Sequence, residues 1–162
     1  MKVGVITVSD RGYRGEREDA SGAVIQEMVQ GLEAEVAFNT VVPDEREEIK
    51  RVLIQGADEM GLDLIVTTGG TGVSPRDVTP DATREVIDQE IPGFAEAMRM
   101  EGLKKTPHAM ISRALCGVRG RTLIVNLPGS PKAVEECLTL ILPAIPHAIE
   151  VLRGEAAECG GT

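Results

Sequence analysis

The chain has 162 residues, enough to bury one full core without disulfides or metals. Its 17 Lys+Arg against 26 Asp+Glu give a formal charge of −9, which argues against nucleic-acid binding, since neutralising phosphates needs clustered cations. Apolar residues at 42% and charged residues at 27% are globular values, and the longest uncharged stretch, Cys137 to Ile149, is too short and too proline-interrupted to span a membrane.

Val3 to Val8 is mostly apolar and β-branched, the pattern of a strand buried on both faces. So short a run, followed by Asp10, is not a signal peptide, which predicts a cytoplasmic location. Ser21 is placed to cap a helix whose apolar positions Val24, Ile25, Met28, Val29 and Leu32 recur at helical spacing. Val36 to Val42 reads as the second strand. Asp44-Glu-Arg-Glu47 then has the form of a capping box before the stripe Ile49, Val52, Leu53, Ala57 and Met60. Leu62 to Thr68 is the third strand, and Thr79 caps a helix with Pro80 at its first position. Pro92 to Gly102 reads as a helix ending in glycine, and Thr106-Pro107 opens a short helical piece toward Ile111. Ala114 to Val118 and Thr122 to Val125 flank Arg119-Gly120, a hairpin that implies one antiparallel strand. Ser130-Pro131 starts the last helix, which Pro143 and Pro146 should kink or split before Gly154.

Strands alternating with helices imply a three-layer α/β/α domain over 1–154 with a mostly parallel sheet and one antiparallel strand. The polar, glycine-rich residues 155–162 are expected to form a flexible tail. Ligands of such sheets bind outside the carboxyl ends of the strands. Four loops leave those ends: Ser9-Asp10, Pro43-Asp44, Gly69 to Asp77, and Asn126 to Pro131. All are rich in Gly, Pro, Ser or Asp.

Gly69-Gly-Thr-Gly72 follows its strand without a gap. Three glycines in four positions let a ligand approach the backbone N–H groups, so the loop is either a phosphate cradle or a tight turn. It matches neither G-x-x-x-x-G-K-[ST] nor G-x-G-x-x-G. Asp77 has no capping duty and is a candidate Mg²⁺ ligand beside such a loop. Asp81 falls in the first helical turn, where opposing the helix dipole accounts for it. Asp44 is accounted for locally by its capping position, although it shares a sheet edge with Asp77. The loop from Ser9 to Gly22, with Arg11, Arg14 and Arg17, is a solvated connection or a donor-rich flap over an anion. Leu127-Pro-Gly-Ser-Pro131 ends a strand and starts a helix at Ser130, a natural anion site. Cys116, Cys137, Cys159, His108 and His147 form no metal-binding pattern and read as structural or surface residues.

The run Thr67-Thr-Gly-Gly-Thr-Gly-Val-Ser-Pro-Arg-Asp-Val-Thr-Pro-Asp-Ala-Thr83 closely resembles the signature of the MogA and MoaB family of molybdenum-cofactor biosynthesis proteins. The resemblance extends through Val8-Ser-Asp10, Asp19-Ala-Ser-Gly22, Val42-Pro-Asp44, Thr106-Pro107 and Asn126-Leu-Pro-Gly-Ser-Pro131, in an order most like the MogA type. It implies a molybdopterin adenylyltransferase that joins ATP and molybdopterin with Mg²⁺, releasing pyrophosphate. It also implies a homotrimer and a downstream molybdate-insertion enzyme as partner. The family's two essential aspartates fall on Asp44 and Asp77, which reverses the local reading of Asp44: both become candidate catalytic residues and metal ligands. Ser9, Asp10, Gly69, Gly70, Thr71, Gly72, Pro128, Gly129 and Ser130 become the candidate nucleotide- and substrate-binding residues. The competing reading is a carrier trimer that binds molybdopterin without adenylylating it.

Overall fold

Six strands form one sheet in the order β2-β1-β3-β6-β5-β4, in a computed structural model that describes residues 1–156. The strands are β1 (Lys2–Val8), β2 (Glu35–Val42), β3 (Leu64–Thr68), β4 (Gln89–Glu90), β5 (Cys116–Arg119) and β6 (Thr122–Leu127). The pairs β1–β2, β1–β3 and β3–β6 are parallel, whereas β5 runs antiparallel to both β6 and β4. β5 is thus the one reversed strand that the hairpin at Arg119-Gly120 predicts.

Among the described residues, seven α-helices accompany these strands: α1 (Asp10–Tyr13), α2 (Ala20–Val29), α3 (Arg46–Ile54), α4 (Thr79–Val86), α5 (Pro92–Leu103), α6 (Pro131–Ile141) and α7 (Ile145–Arg153). Alternation along the strands divides the core in two. Leu64 and Val66 of β3 face the layer of α2, α5, α6 and α7, where Ile25, Met98, Leu138 and Ile149 pack. Ile65 faces the opposite layer, against Ile49, Leu53 and Val86 of α3 and α4. The result is the expected three-layer α/β/α arrangement. Pro143 and Pro146 split the final helix as expected, through a 3₁₀ turn over Leu142–Ala144.

Several boundaries differ from the sequence reading, each for a physical reason. Asp19, not Ser21, caps α2 by accepting from the Gly22 N–H, while the Ser21 hydroxyl donates to the Gly129 carbonyl. Asp44 is not a cap. The N-cap of α3 is Glu45, which makes no side-chain capping bond, because a short turn between Glu45 and Pro43 delays the helix and frees the Asp44 carboxylate. Thr79 is the first residue of α4, and its hydroxyl donates to the Gly69 carbonyl instead of capping. Gly102 does not end α5. A Cβ there would stand 2.9 Å from that of Ala109, so this glycine admits the 3₁₀ helix Pro107–Ile111 against α5. β3 starts at Leu64 because Leu62 bonds back to Gly56, closing the π-helical turn Gln55–Glu59. The sequence reading contained neither that turn, nor α1, nor the two-residue β4. The tail expected over 155–162 lies outside the described residues from position 157 onward.

One buried polar cluster ties the sheet to α4. Asn126 donates to the hydroxyls of Thr67 and Thr83, each at 3.0 Å, and accepts from the Leu115 N–H at 3.3 Å. Thr83 in turn donates to the Thr79 carbonyl. Asn126→Leu keeps the branched heavy-atom skeleton but strands the Leu115 N–H and removes three bonds. It should lower unfolding free energy by about 3 kcal/mol, read as a lower urea midpoint at unchanged m.

Candidate active site

Above the carboxyl ends of β1, β3 and β6 lies a cleft of about 550 Å³, closed at one side by the starts of α2 and α6. Among the predicted site residues, Ser9, Asp44, Gly69, Gly70, Asp77, Gly129 and Ser130 line it. Asp10, Thr71, Gly72 and Pro128 are not in that lining, though each lies within two residues of it in sequence. Thr7, Thr68, Arg17 and Asp19 also reach the cleft. Arg17 and Asp19 belong to the flap suggested by the Ser9 to Gly22 loop. Thr7 and Thr68 were missed, although hydroxyls ending otherwise apolar strands were the available signal.

The glycine loop is held from one side. The Gly69 carbonyl accepts from the Thr79 hydroxyl at 2.9 Å and the Gly70 carbonyl from the Thr79 N–H at 3.2 Å. The Thr71 carbonyl accepts from the Arg113 N–H, and the Gly72 carbonyl from Arg113 Nε, each at 2.8 Å. In a planar trans peptide the N–H points opposite to the carbonyl. Four consecutive carbonyls fixed by protein donors therefore turn the N–H groups of residues 70 to 73 away from those donors. Gly69 and Gly70 take φ of +97° and +68°, conformations that permit this turn. The loop after β6 comes close: a Cβ on Gly129 would lie 3.5 Å from the Gly69 Cα. Ser130 caps α6 through the Ala133 N–H, placing the positive end of that helix at the cleft wall. Ser9 caps α1 by accepting from the Gly12 N–H at 3.0 Å, which leaves its hydroxyl proton available to donate.

The acidic groups are arranged unequally. The Asp10 N–H donates to Asp44 Oδ2 at 2.8 Å, and the Asp44 N–H donates to Asp10 Oδ1 at 3.0 Å. Arg76 forks onto both oxygens of Asp10, each at 3.0 Å, and reaches Glu45 at 2.9 Å. That guanidinium holds the Asp10 carboxyl below its ordinary range. Asp44 is pushed the other way, by burial first and then by the charges of Asp10 and Asp77 beyond what its bond from the Asp10 N–H offsets. Asp77 Oδ2 accepts from the Ser74 N–H at 3.0 Å.

Asp44 and Asp77 line the same cleft, and the charge of Asp77 is one of the smaller forces raising the Asp44 carboxyl, which a cation there would offset. Among the described residues no group of three or more His, Cys, Asp or Glu side chains is arranged to hold a metal. Mg²⁺ needs less, since it binds through one or two carboxylates and takes its other oxygens from phosphates and water. The donor set fits. The thiols do not enter: burial pushes Cys116 up to about 12 and raises Cys137, so neither is a ready nucleophile, and Cys159 lies outside the described residues.

The raised Asp44 carboxyl fixes the sign of a stability prediction. A folded pKa above the unfolded value lends stability that is complete below the unfolded pKa of about 3.9 and is lost as pH rises through the folded pKa. Ionised Asp44 is therefore a burden at neutral pH. Asp44→Asn should melt higher than wild type at pH 7, with the gap closing below about pH 4; a melting series over pH reads this directly.

Fold and cleft together define an α/β domain with a glycine loop and several carboxylates, Asp44 and Asp77 among them, at the sheet's carboxyl edge. The chain belongs to the family of probable molybdopterin binding domains, whose model matches residues 4–147. It is 46% identical over 156 residues to the molybdopterin adenylyltransferase of Helicobacter pylori strain J99, covering 95% of this chain and 89% of that one. The molybdopterin adenylyltransferase of Escherichia coli K12 is 37% identical over 172 residues, covering 98% and 88%. The crystal structure of the molybdopterin biosynthesis enzyme MoaB from Thermus thermophilus superposes with a TM-score of 0.89 at 56% identity, covering 94% of this chain and 96% of that one. Among the described residues no helix is long and apolar enough to cross a membrane.

Proposed function

We propose that this chain is a molybdopterin adenylyltransferase, transferring AMP from Mg²⁺-bound ATP to the terminal phosphate of molybdopterin with release of pyrophosphate. The observation that carries this reading is the fixing of the Gly69–Gly72 carbonyls by Thr79 and Arg113 beside the Asp44 and Asp77 carboxylates. It supplies N–H donors and a cation-attracting edge within one cleft, in a chain whose relatives bear that name.

A phosphate oxygen of molybdopterin attacks the α-phosphorus, a new P–O bond forms, and the α–β bridging bond breaks with its electron pair leaving on pyrophosphate. Such a transfer depends on positioning and charge neutralisation more than on covalent catalysis. The N–H groups of residues 70 to 73 orient the nucleotide phosphates. The start of α6, with the Ser130 hydroxyl, holds negative charge on the facing wall. Asp77 and Asp44 would hold Mg²⁺, which would supply positive charge to offset the phosphates. Asp10 keeps Asp44 in place through the reciprocal backbone bonds.

The same reading makes residues 1–154 one domain that works in the cytoplasm and hands its product to a molybdate-insertion enzyme. It also makes the assembly a homotrimer, which would cover exposed apolar side chains such as Met100, Leu103, Met110 and Ile111. Pyrophosphate release from Mg²⁺ and ATP, measured with and without fresh molybdopterin, tests the reaction. Release that requires the pterin supports it. Intact pterin binding without release would make the chain a carrier.

A further inference from the structure

Arg113 lies outside the cleft yet touches three of the peptide units that shape it. It precedes β5, 41 residues from Gly72 in sequence, and the fold brings its guanidinium beneath the glycine loop. Nε donates to the Gly72 carbonyl at 2.8 Å, Nη2 to the Asp77 carbonyl at 2.6 Å, and its own N–H to the Thr71 carbonyl at 2.8 Å. The Asp81 carboxylate holds the guanidinium in that pose, accepting from Nη1 at 3.2 Å and from Nη2 at 3.1 Å. Asp81 is thereby more than a first-turn acid opposing a helix dipole.

The two main-chain anchors have a joint consequence. Asp77 Oδ2 stands 2.9 Å from the place a Cβ on Gly72 would take, so this carboxylate is packed against the last glycine of the loop. One planar guanidinium bonded to the carbonyls of both residues sets the spacing between loop and carboxylate. A lysine cannot reproduce this, because a single ammonium lacks the rigid fork.

We propose that Arg113, oriented by Asp81, is a positioning residue that sets Asp77 against the 70–73 amides and so tunes the site for a metal–nucleotide complex. This rests on the adenylyltransferase reading for its choice of ligand, but not for its structural content. Arg119 provides a matched control. It forks onto Asp58 and donates to one main-chain carbonyl, that of Val86, a similar carboxylate-held guanidinium among residues that do not line the cleft.

The experiment compares Arg113→Lys, Asp81→Asn and Arg119→Lys in three measurements: amide hydrogen exchange over residues 70–78, melting temperature, and steady-state pyrophosphate release. Arg113→Lys and Asp81→Asn should speed exchange over 70–78 and raise KM for Mg²⁺–ATP roughly tenfold, with KM for molybdopterin unmoved. Arg119→Lys should lower the melting temperature comparably and move neither readout. The proposal is overturned if Arg113→Lys leaves exchange over 70–78 at the wild-type rate, or if Arg119→Lys shifts exchange and KM equally. Should wild type release no pyrophosphate, the adenylyltransferase reading falls by itself, and the exchange comparison alone decides the role of Arg113.

Discussion

Asp77→Asn is expected to lower molybdopterin-dependent pyrophosphate release by roughly 10²–10³-fold while leaving the fold intact. The asparagine carbonyl can still accept the Ser74 N–H that now bonds Oδ2, so the loop keeps its closure. What disappears is a negative charge at the cleft edge, leaving Asp44 alone to attract a cation. Two consequences accompany the loss of rate. The Mg²⁺ concentration needed for half-maximal release should rise, and Asp44 should ionise more easily, because the charge of Asp77 is one of the forces pushing its carboxyl upward. Release rates across a Mg²⁺ titration, beside thermal melts, separate this from misfolding. Normal turnover in the variant removes Asp77 from the metal site.

Gly69→Ala should be strongly disruptive for so small a substitution. At φ of +97° an L-residue is already strained, and the added Cβ would sit 2.4 Å from the Val8 carbonyl oxygen, a backbone atom that cannot rotate aside. Relief requires the end of β1 or the start of the loop to move, and both carry the site: β1 leads into Ser9 and Asp10, the loop into the fixed carbonyls. The strain and the clash together should cost about 3 kcal/mol or more and abolish turnover. Gly15→Ala separates the two effects. Gly15 also has a positive φ, +75°, but nothing lies within 4 Å of its added Cβ, so that variant should lose only about 1 kcal/mol. Chemical denaturation of both variants measures the difference. Equal losses would mean that the contact with Val8 is unimportant.

The stability prediction for Asp44→Asn complements these two. A residue that weakens the fold when charged, yet lies at the mouth of the cleft, fits a site kept ready for a cation at some expense to the empty protein.

The sheet, the helices and the glycine loop were legible in the sequence because their signals are local. An apolar β-branched run, a 3.6-residue stripe, or Ser130-Pro131 opening a helix each act over a few neighbours, and the tertiary structure leaves most of them unchanged. Asp44 shows where local rules stop. Its four-residue pattern satisfies a capping box on paper, but the carboxylate bonds instead to an amide 34 residues earlier. Ser21 likewise forsakes its helix for a carbonyl 108 residues away. The resemblance to a known family placed Asp44 among the candidate site residues, but gave no partner for it.

The sequence by itself determined the α/β class and the glycine loop after β3, and its family resemblance singled out Asp44 and Asp77, two of the carboxylates that line the cleft. Only the tertiary structure decided what holds them: Arg76 on Asp10, Thr79 on Gly69, and Arg113 on Gly72 and Asp77. The physical reason lies in the strand order. Parallel β1, β3 and β6 bring three distant loops to one edge, and the hydrogen bonds formed there depend on which donors arrive together.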